Sequence, residues 1–197
     1  MRTAIWLLLI QASLGAFDTL YYHEYRLKLA QSAHTRVELR LHASRDLAYA
    51  IIIGSLGFVT WHGAFTWVLL ALLLAEIGIT LWDFIEEDKI RRLPAGERAM
   101  HAIMGIVYGA FLAFLIPQMI GWARLATGFG ASYHGFPAWM LLMLAAGVFA
   151  SGVRDALASA RPAAARRTHS APIDAGSTRR PSITPCGAAP WSCFPAR

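Results

Sequence analysis

The chain has 197 residues, of which 56% are hydrophobic and 15% are charged, and its mean hydropathy is +0.45. This composition is too apolar for an ordinary soluble domain and places the chain in the membrane class. The net charge of +6 does not indicate nucleic-acid binding, because the basic residues lie between apolar runs and form no separate basic domain.

Five apolar segments are predicted to be transmembrane helices, since a span of about 20 residues crosses a hydrocarbon core of about 30 Å. They cover residues 4–22, 47–61, 64–82, 99–122 and 137–153. The second and fifth are short, so their helices should extend into the polar flanks. A cleaved signal peptide is the alternative for the first segment. The predicted fold class is an all-α integral membrane protein, with a four-helix bundle and one extra helix.

The basic residues predict the orientation of these spans. Of the 18 Lys and Arg residues, 16 lie in the loops 22–46 and 83–98 or after Val153. Loops rich in Lys and Arg stay in the cytoplasm. We therefore predict a multi-pass protein of the inner (plasma) membrane, with its N-terminus outside and its C-terminus in the cytoplasm.

A pattern of glutamate, histidine and tyrosine occurs twice, each time at the start of a predicted span. The spacing is the same in both copies, four residues from glutamate to histidine and seven more to tyrosine. In a helix these positions lie within about 60° of one another, so each triplet shares one face. The residues are Glu38, His42 and Tyr49 in the first copy and Glu97, His101 and Tyr108 in the second.

Each copy follows a span that carries an aspartate near its end, Asp18 in the first case and Asp83 in the second. We therefore predict an internal repeat of two hairpins, residues 4–61 and 64–122, related by a pseudo-twofold axis along the membrane normal. Both aspartates and both Glu/His pairs should then meet at the cytoplasmic boundary, with the tyrosines deeper. Glu76 lies within the third span, where an acid costs about 2.5 kcal/mol or more unless it faces a partner inside the bundle.

Several acids at one level repel one another unless a metal ion, arginines or protons intervene. Oxygen and imidazole ligands suit iron, manganese or zinc. The alternative is that each polar pair is a structural ion pair with a nearby arginine. The metal hypothesis assigns as ligands Asp18, Glu38, His42, Asp83, Glu97 and His101, with Glu76, Tyr49 and Tyr108 in support.

This ligand set resembles that of the ferritin-like di-iron and di-manganese carboxylate proteins, in which two helices of a bundle give one carboxylate each and the other two give a Glu-and-His pair each. The resemblance implies a di-metal site at these positions. Two departures are the Glu-to-His spacing of four residues, where that family has three, and Asp in place of the lone Glu. The whole chain is also similar to small uncharacterised polytopic proteins of the bacterial inner membrane.

Three functions fit these patterns. The first is a metal or redox enzyme at the cytoplasmic interface that acts on a lipid-soluble substrate, the second is a transporter or proton pathway through Glu76, and the third is a membrane scaffold without catalysis. No partner other than the lipid bilayer and such a substrate is indicated. Residues 160–197 are rich in Pro, Ala, Ser and Arg, and we predict that this basic tail is disordered, beyond a helical domain of residues 1–159.

Overall fold

The computed structural model describes residues 1–21, 36–90 and 94–160. The predicted tail beyond residue 160 lies outside this part of the chain, as does most of the first charged loop. Within the described ranges the protein is mostly helical, with five α-helices and one short antiparallel sheet. The helices are α1 (Arg2–Asp18), α2 (Arg36–Leu56), α3 (Ala64–Ile90), α4 (Ala95–Trp122) and α5 (Phe136–Ala160), and the strands are β1 (Val59–His62) and β2 (Gly128–Ala131).

Four of the helices are long and apolar enough to cross a membrane. The spans are Arg2–Tyr21, Ala64–Glu86, Ala95–Trp122 and Phe136–Ala160. In the described part of the chain α2 does not meet that criterion, because its first half carries His42, Arg45 and Asp46. The prediction of five clear spans is therefore supported for four.

The predicted bounds of the second segment need correction. Its helix begins at Arg36, well before the apolar run, and ends at Leu56, so that Trp61 lies in a strand. The expected extension into polar flanking residues thus occurs at the N-terminal side of α2, and α5 is likewise longer than its apolar segment.

The outer surface of the helix bundle is apolar, and the interior of the bundle contains charged side chains. Trp67, Ile106 and Met143 are 64%, 73% and 70% exposed, whereas Asp83 and Glu97 are 1% and 0% exposed. A soluble protein rarely exposes so much contiguous apolar surface. This distribution is consistent with helices surrounded by lipid.

Helix α2 occupies a central position, packed against α3 on one side and α5 on the other, while α1 packs mainly against α4. The contact of α2 with α5 is close because small residues meet along it. Gly54 faces Ala145, and a Cβ placed on Gly152 would lie 3.0 Å from the Cβ of Asp46. Small residues let helix backbones approach in this way. The fifth helix is therefore an integral neighbour of α2.

The two strands close one end of the bundle. Val59 pairs with Ala131 and His62 with Gly128, which ties the α2–α3 connection to the α4–α5 loop. Gly63 follows with φ of 57°, and a Cβ there would lie 2.5 Å from Thr127 Oγ1, so only glycine fits. The N-terminus is at the same end, close enough to His134 to affect it electrostatically.

Candidate functional site

Two buried acid–imidazole pairs form one cluster in the helix bundle. His42 Nε2 is 2.9 Å from Asp83 Oδ2, and His101 Nε2 is 3.5 Å from Asp18 Oδ2. His101 is also within electrostatic reach of Asp83, so the two pairs belong together. Each pair joins the two predicted hairpins, because the aspartate of one contacts the histidine of the other.

Helix packing is the reason for this exchange. The first predicted hairpin consists of α1 and α2, yet these two helices have few contacts with each other. Helix α1 lies against α4 and α3 lies against α2, so an aspartate on α1 or α3 meets the first turns of a helix from the other hairpin. Phe84 stacks on the ring of His101, with centroids 4.7 Å apart, and fixes the plane of that imidazole.

Arg45 makes the two pairs unequal. Its Nη1 donates a hydrogen bond to Asp83 Oδ2 at 3.0 Å, and its Nε lies 3.9 Å from Asp46 Oδ1. The matching position in the second hairpin, three residues after its histidine, is Met104. The His42–Asp83 pair therefore has a guanidinium at a position where the other pair has a thioether. The sequence analysis counted Arg45 as an orientation signal and also as one of the nearby arginines that could form an ion pair here, and the structure places it inside the bundle, bound to Asp83.

A second polar layer surrounds Glu76. Thr80 Oγ1 donates a hydrogen bond to Glu76 Oε1 at 2.8 Å. Tyr49 lies next to both Glu76 and Gln11, and Tyr108 lies next to Glu76. The rings of the two tyrosines meet edge to face, with centroids 6.1 Å apart. The three residues predicted to support the site, Glu76, Tyr49 and Tyr108, are thus neighbours.

Gln11 is a member of this layer that sequence reasoning missed. It is 6% exposed. It precedes Asp18 by seven residues, as Glu76 precedes Asp83. The predicted repeat therefore contained the signal, but an uncharged amide does not stand out in an apolar segment.

A cavity of about 310 Å³ connects the two layers, and we call it the central cavity. All five helices contribute to its wall. Asp18, Arg45 and Glu76 line it, together with apolar side chains such as Ile53, Ile77, Leu81 and Val148. His101 also lines the cavity, whereas His42 and Asp83 lie outside its wall. The site is therefore asymmetric, with only one of the two acid–imidazole pairs facing the open space.

Three glycines widen this cavity. Gly15 on α1 and Gly105 and Gly109 on α4 line the cavity wall. A Cβ added at any of them would meet no atom within 4 Å. The missing side chains leave space at that point.

The predicted metal ligands are brought together in pairs. Glu97 is fully buried, one turn before His101, and the side chain of Glu38 lies outside the described residues. Among the side chains that the structure describes, no group of three His, Cys, Asp or Glu residues could hold a metal ion. The six-ligand site for iron, manganese or zinc stays a prediction.

A scan against family models, a search of curated proteins and a search of solved structures each found no match to this chain. The class of protein follows from the fold alone. It is a helical protein with four helices able to span a membrane, and the cavity among its helices is lined by apolar side chains and a few polar ones.

Proposed function

We propose that this protein is a multi-pass protein of the plasma membrane that binds a small amphipathic molecule in the central cavity. The observation that carries the proposal is the cavity of about 310 Å³, with an apolar wall and a few polar side chains. Cavities of this kind, from about 300 Å³ upward, are the usual sites for small molecules.

The distribution of polarity supports an amphipathic occupant. Ile53, Ile77 and Val148 offer an apolar surface for a hydrocarbon body. Glu76 and the Asp18–His101 pair offer polar groups for a head group. A buried acid inside a span is retained where it has a functional or pairing role, because its burial is costly.

The three functions that fit the sequence, an enzyme, a transporter and a scaffold, differ in what the cavity does. For an enzyme, His101, oriented by Asp18 and by the ring of Phe84, would exchange a proton with the bound molecule. For a scaffold, the cavity would have no occupant and filling it would be harmless. A binding measurement separates the scaffold from the other two, and turnover of the bound molecule separates the enzyme from the transporter.

The experiment fills the cavity from two helices. Gly15→Leu and Gly105→Leu place side chains at positions where an added Cβ meets nothing, so folding should persist. Gly78→Leu is the matched control, because Gly78 on α3 has equally open space but does not line the cavity. Octanol should raise the melting temperature of the purified protein in nanodiscs saturably, because a ligand that binds the folded state stabilises it. The filled variants should lose this response and the control should keep it. An identical response in all three variants would overturn the proposal.

The predicted metal site is a second candidate for the same region. The two acid–imidazole pairs are the observation that favours it, since each supplies an oxygen and a nitrogen ligand. Metal analysis of the purified protein, compared with Glu97→Ala and His101→Ala, tests it. Iron, manganese or zinc bound in a fixed ratio and lost in both variants would support the metal site. A metal content equal in all three proteins would exclude it.

A further inference from the structure

Three oxygen atoms in the wall of the central cavity are buried without a hydrogen-bond partner among the described residues. They are Gln11 Oε1, Glu76 Oε2 and Tyr108 Oη. The three residues are 6%, 2% and 8% exposed and come from α1, α3 and α4. Buried polar atoms in native proteins are almost always paired, so such a group indicates a missing partner.

These oxygens are neighbours, and two of them need the same kind of partner. Tyr49 touches the side chains of both Gln11 and Glu76, and Tyr108 lies beside Glu76. An amide oxygen and a carboxylate oxygen only accept hydrogen bonds, and a phenol oxygen can also accept. The phenol can instead donate to the neighbouring Glu76, but the Gln11 and Glu76 oxygens can only accept, so a ligand that satisfies both of them must donate. A carboxylate, an ester or a ketone cannot do so.

The charges around the cavity decide between a neutral donor and a cationic one. Three carboxyl groups line its wall, those of Asp18, Asp46 and Glu76, and the basic groups there are the guanidinium of Arg45 and the imidazole of His101, which pairs with Asp18. Arg45 already donates to Asp83, a fourth acid, which lies outside the wall. An excess of negative charge in a low-dielectric site attracts a cation.

We propose that the head group recognised in the central cavity is a protonated amine, carried on an apolar body of modest size. A primary ammonium has three N–H donors, enough to reach both the Gln11 and the Glu76 oxygens. The apolar wall around Ile53 and Val148 receives the body. This assignment rests on the proposed function and adds the class of ligand.

The test compares four probes with the same eight-carbon chain, bound to the full chain in nanodiscs of phosphatidylcholine, with empty nanodiscs as background. Octylammonium has charge and donors, octyltrimethylammonium has charge alone, octanol has one neutral donor, and octanoate has neither donor nor positive charge. Octylammonium should bind most tightly and octanoate most weakly. Loss of a hydrogen bond to a charged group weakens binding by about tenfold or more, so octyltrimethylammonium should be weaker by that factor.

Substitutions locate the effect at Glu76. Glu76→Gln should weaken the binding of octylammonium by about tenfold or more and should change the binding of octanol much less. Glu86→Gln removes an acid on the same helix that does not line the cavity and should change neither. Gln11→Glu adds a further carboxylate, at the position that corresponds to Glu76 in the predicted repeat, and should make the binding of octylammonium tighter. This variant provides a test if Glu76→Gln does not fold.

The outcomes separate the two proposals. If octanol binds as tightly as octylammonium and Glu76→Gln affects both alike, the amine assignment is overturned while the cavity remains a binding site. If the binding of octylammonium is unchanged by Glu76→Gln and by Gln11→Glu, the assignment is also overturned. If none of the four probes binds above the empty nanodiscs, the proposed function itself fails.

Discussion

Asp18 pairs with His101, on a helix from the other half of the predicted repeat, and not with His42, on the helix that follows it in the chain. Asp83 pairs reciprocally with His42. The polar cluster therefore holds the two predicted hairpins together across α1 and α4 and across α2 and α3. The two pairs contribute unequally to the stability of the bundle, because Arg45 contacts only the His42–Asp83 pair.

This inequality predicts different costs for the two aspartates. Asp83→Asn leaves Arg45 as a buried cation without its 3.0 Å partner and removes the 2.9 Å contact to His42. Breaking a buried ion pair costs about 3 kcal/mol or more, so a large fall in melting temperature in detergent is expected. Asp18→Asn weakens the 3.5 Å contact with His101 but leaves Arg45 paired with Asp83, so it should cost less, about 1 kcal/mol. Equal losses, or a larger loss for Asp18→Asn, would contradict the reported asymmetry.

The close contact of α2 with α5 predicts the effect of bulk at Gly152. Its Cβ position lies 3.0 Å from the Cβ of Asp46 and 3.3 Å from the backbone oxygen of Ala43. Gly152→Leu should destabilise the protein by about 3 kcal/mol or more, because overpacking forces the helices apart. Gly147→Leu is the control on the same helix, where a Cβ meets no atom within 4 Å. Thermal unfolding of both variants in detergent should give a clearly lower midpoint for Gly152→Leu alone.

Two glycines with positive φ lie near the two-stranded sheet. Substituting each of them distinguishes the stability cost of backbone strain from that of steric crowding. Gly135→Ala, at φ of 68° in open space, should lose about 1 kcal/mol for backbone strain alone. Gly63→Ala, at φ of 57°, also drives a Cβ into Thr127 and should lose at least about 1 kcal/mol more. Chemical unfolding of the two variants measures the difference. Two equal midpoints would mean that the Gly63 turn is looser than described.

His134, at the end of the bundle closed by the two strands, predicts that the stability of the folded protein depends on pH. Burial, the N-terminal ammonium and Arg2 lower the pKa of this imidazole, so the folded state favours its neutral form. An unfolded histidine titrates near about 6.5, and the contribution to stability is therefore present above that pH and is lost as the pH falls through it. The fall in melting temperature between pH 7.5 and pH 5 should be smaller for His134→Gln than for the unsubstituted protein. Arg2→Gln should reduce it too, and an unchanged pH profile in both would refute the assignment.

The proposed topology is tested by reporter fusions. Reporters placed at Arg92 and Ala160 should read as cytoplasmic, and one placed at His134 should read as external, because 16 of the 18 basic residues lie on the predicted inner side. A fusion at His62 serves as a second external point. An external signal at Arg92 or Ala160 would invert or break the predicted arrangement.

Much of the site could be predicted from the sequence. The spacing of Glu76, Tyr49 and Tyr108 predicted the helix face and the membrane depth of each residue, and in the structure these side chains are neighbours. The partner of each aspartate could not be predicted, since helical periodicity gives the face of a residue and not the helix that lies opposite. Gln11 escaped because an amide carries no charge.

The errors in the fold have similar causes. The apolar run after Arg45 indicated where α2 is hydrophobic but not where its helix begins, because buried ion pairs let charged residues enter the bundle. The four-residue strands were missed because their pairing is between distant parts of the chain, Val59 with Ala131. Local pattern carries no information about such a partner.

The crossed pairing also bears on how such a chain is assembled. Once the first hairpin has left the ribosome, Asp18 and His42 cannot form with each other the contacts that they have in the complete bundle, since α1 and α2 scarcely touch. The partners of both side chains lie on α3 and α4, which follow later in the chain. A protein made of the first hairpin alone could reproduce this arrangement only by associating with a second copy of itself. On the predicted repeat, the chain carries in one polypeptide the contacts that two copies of one hairpin would form as a dimer, and its two halves are free to differ, as Arg45 and Met104 do.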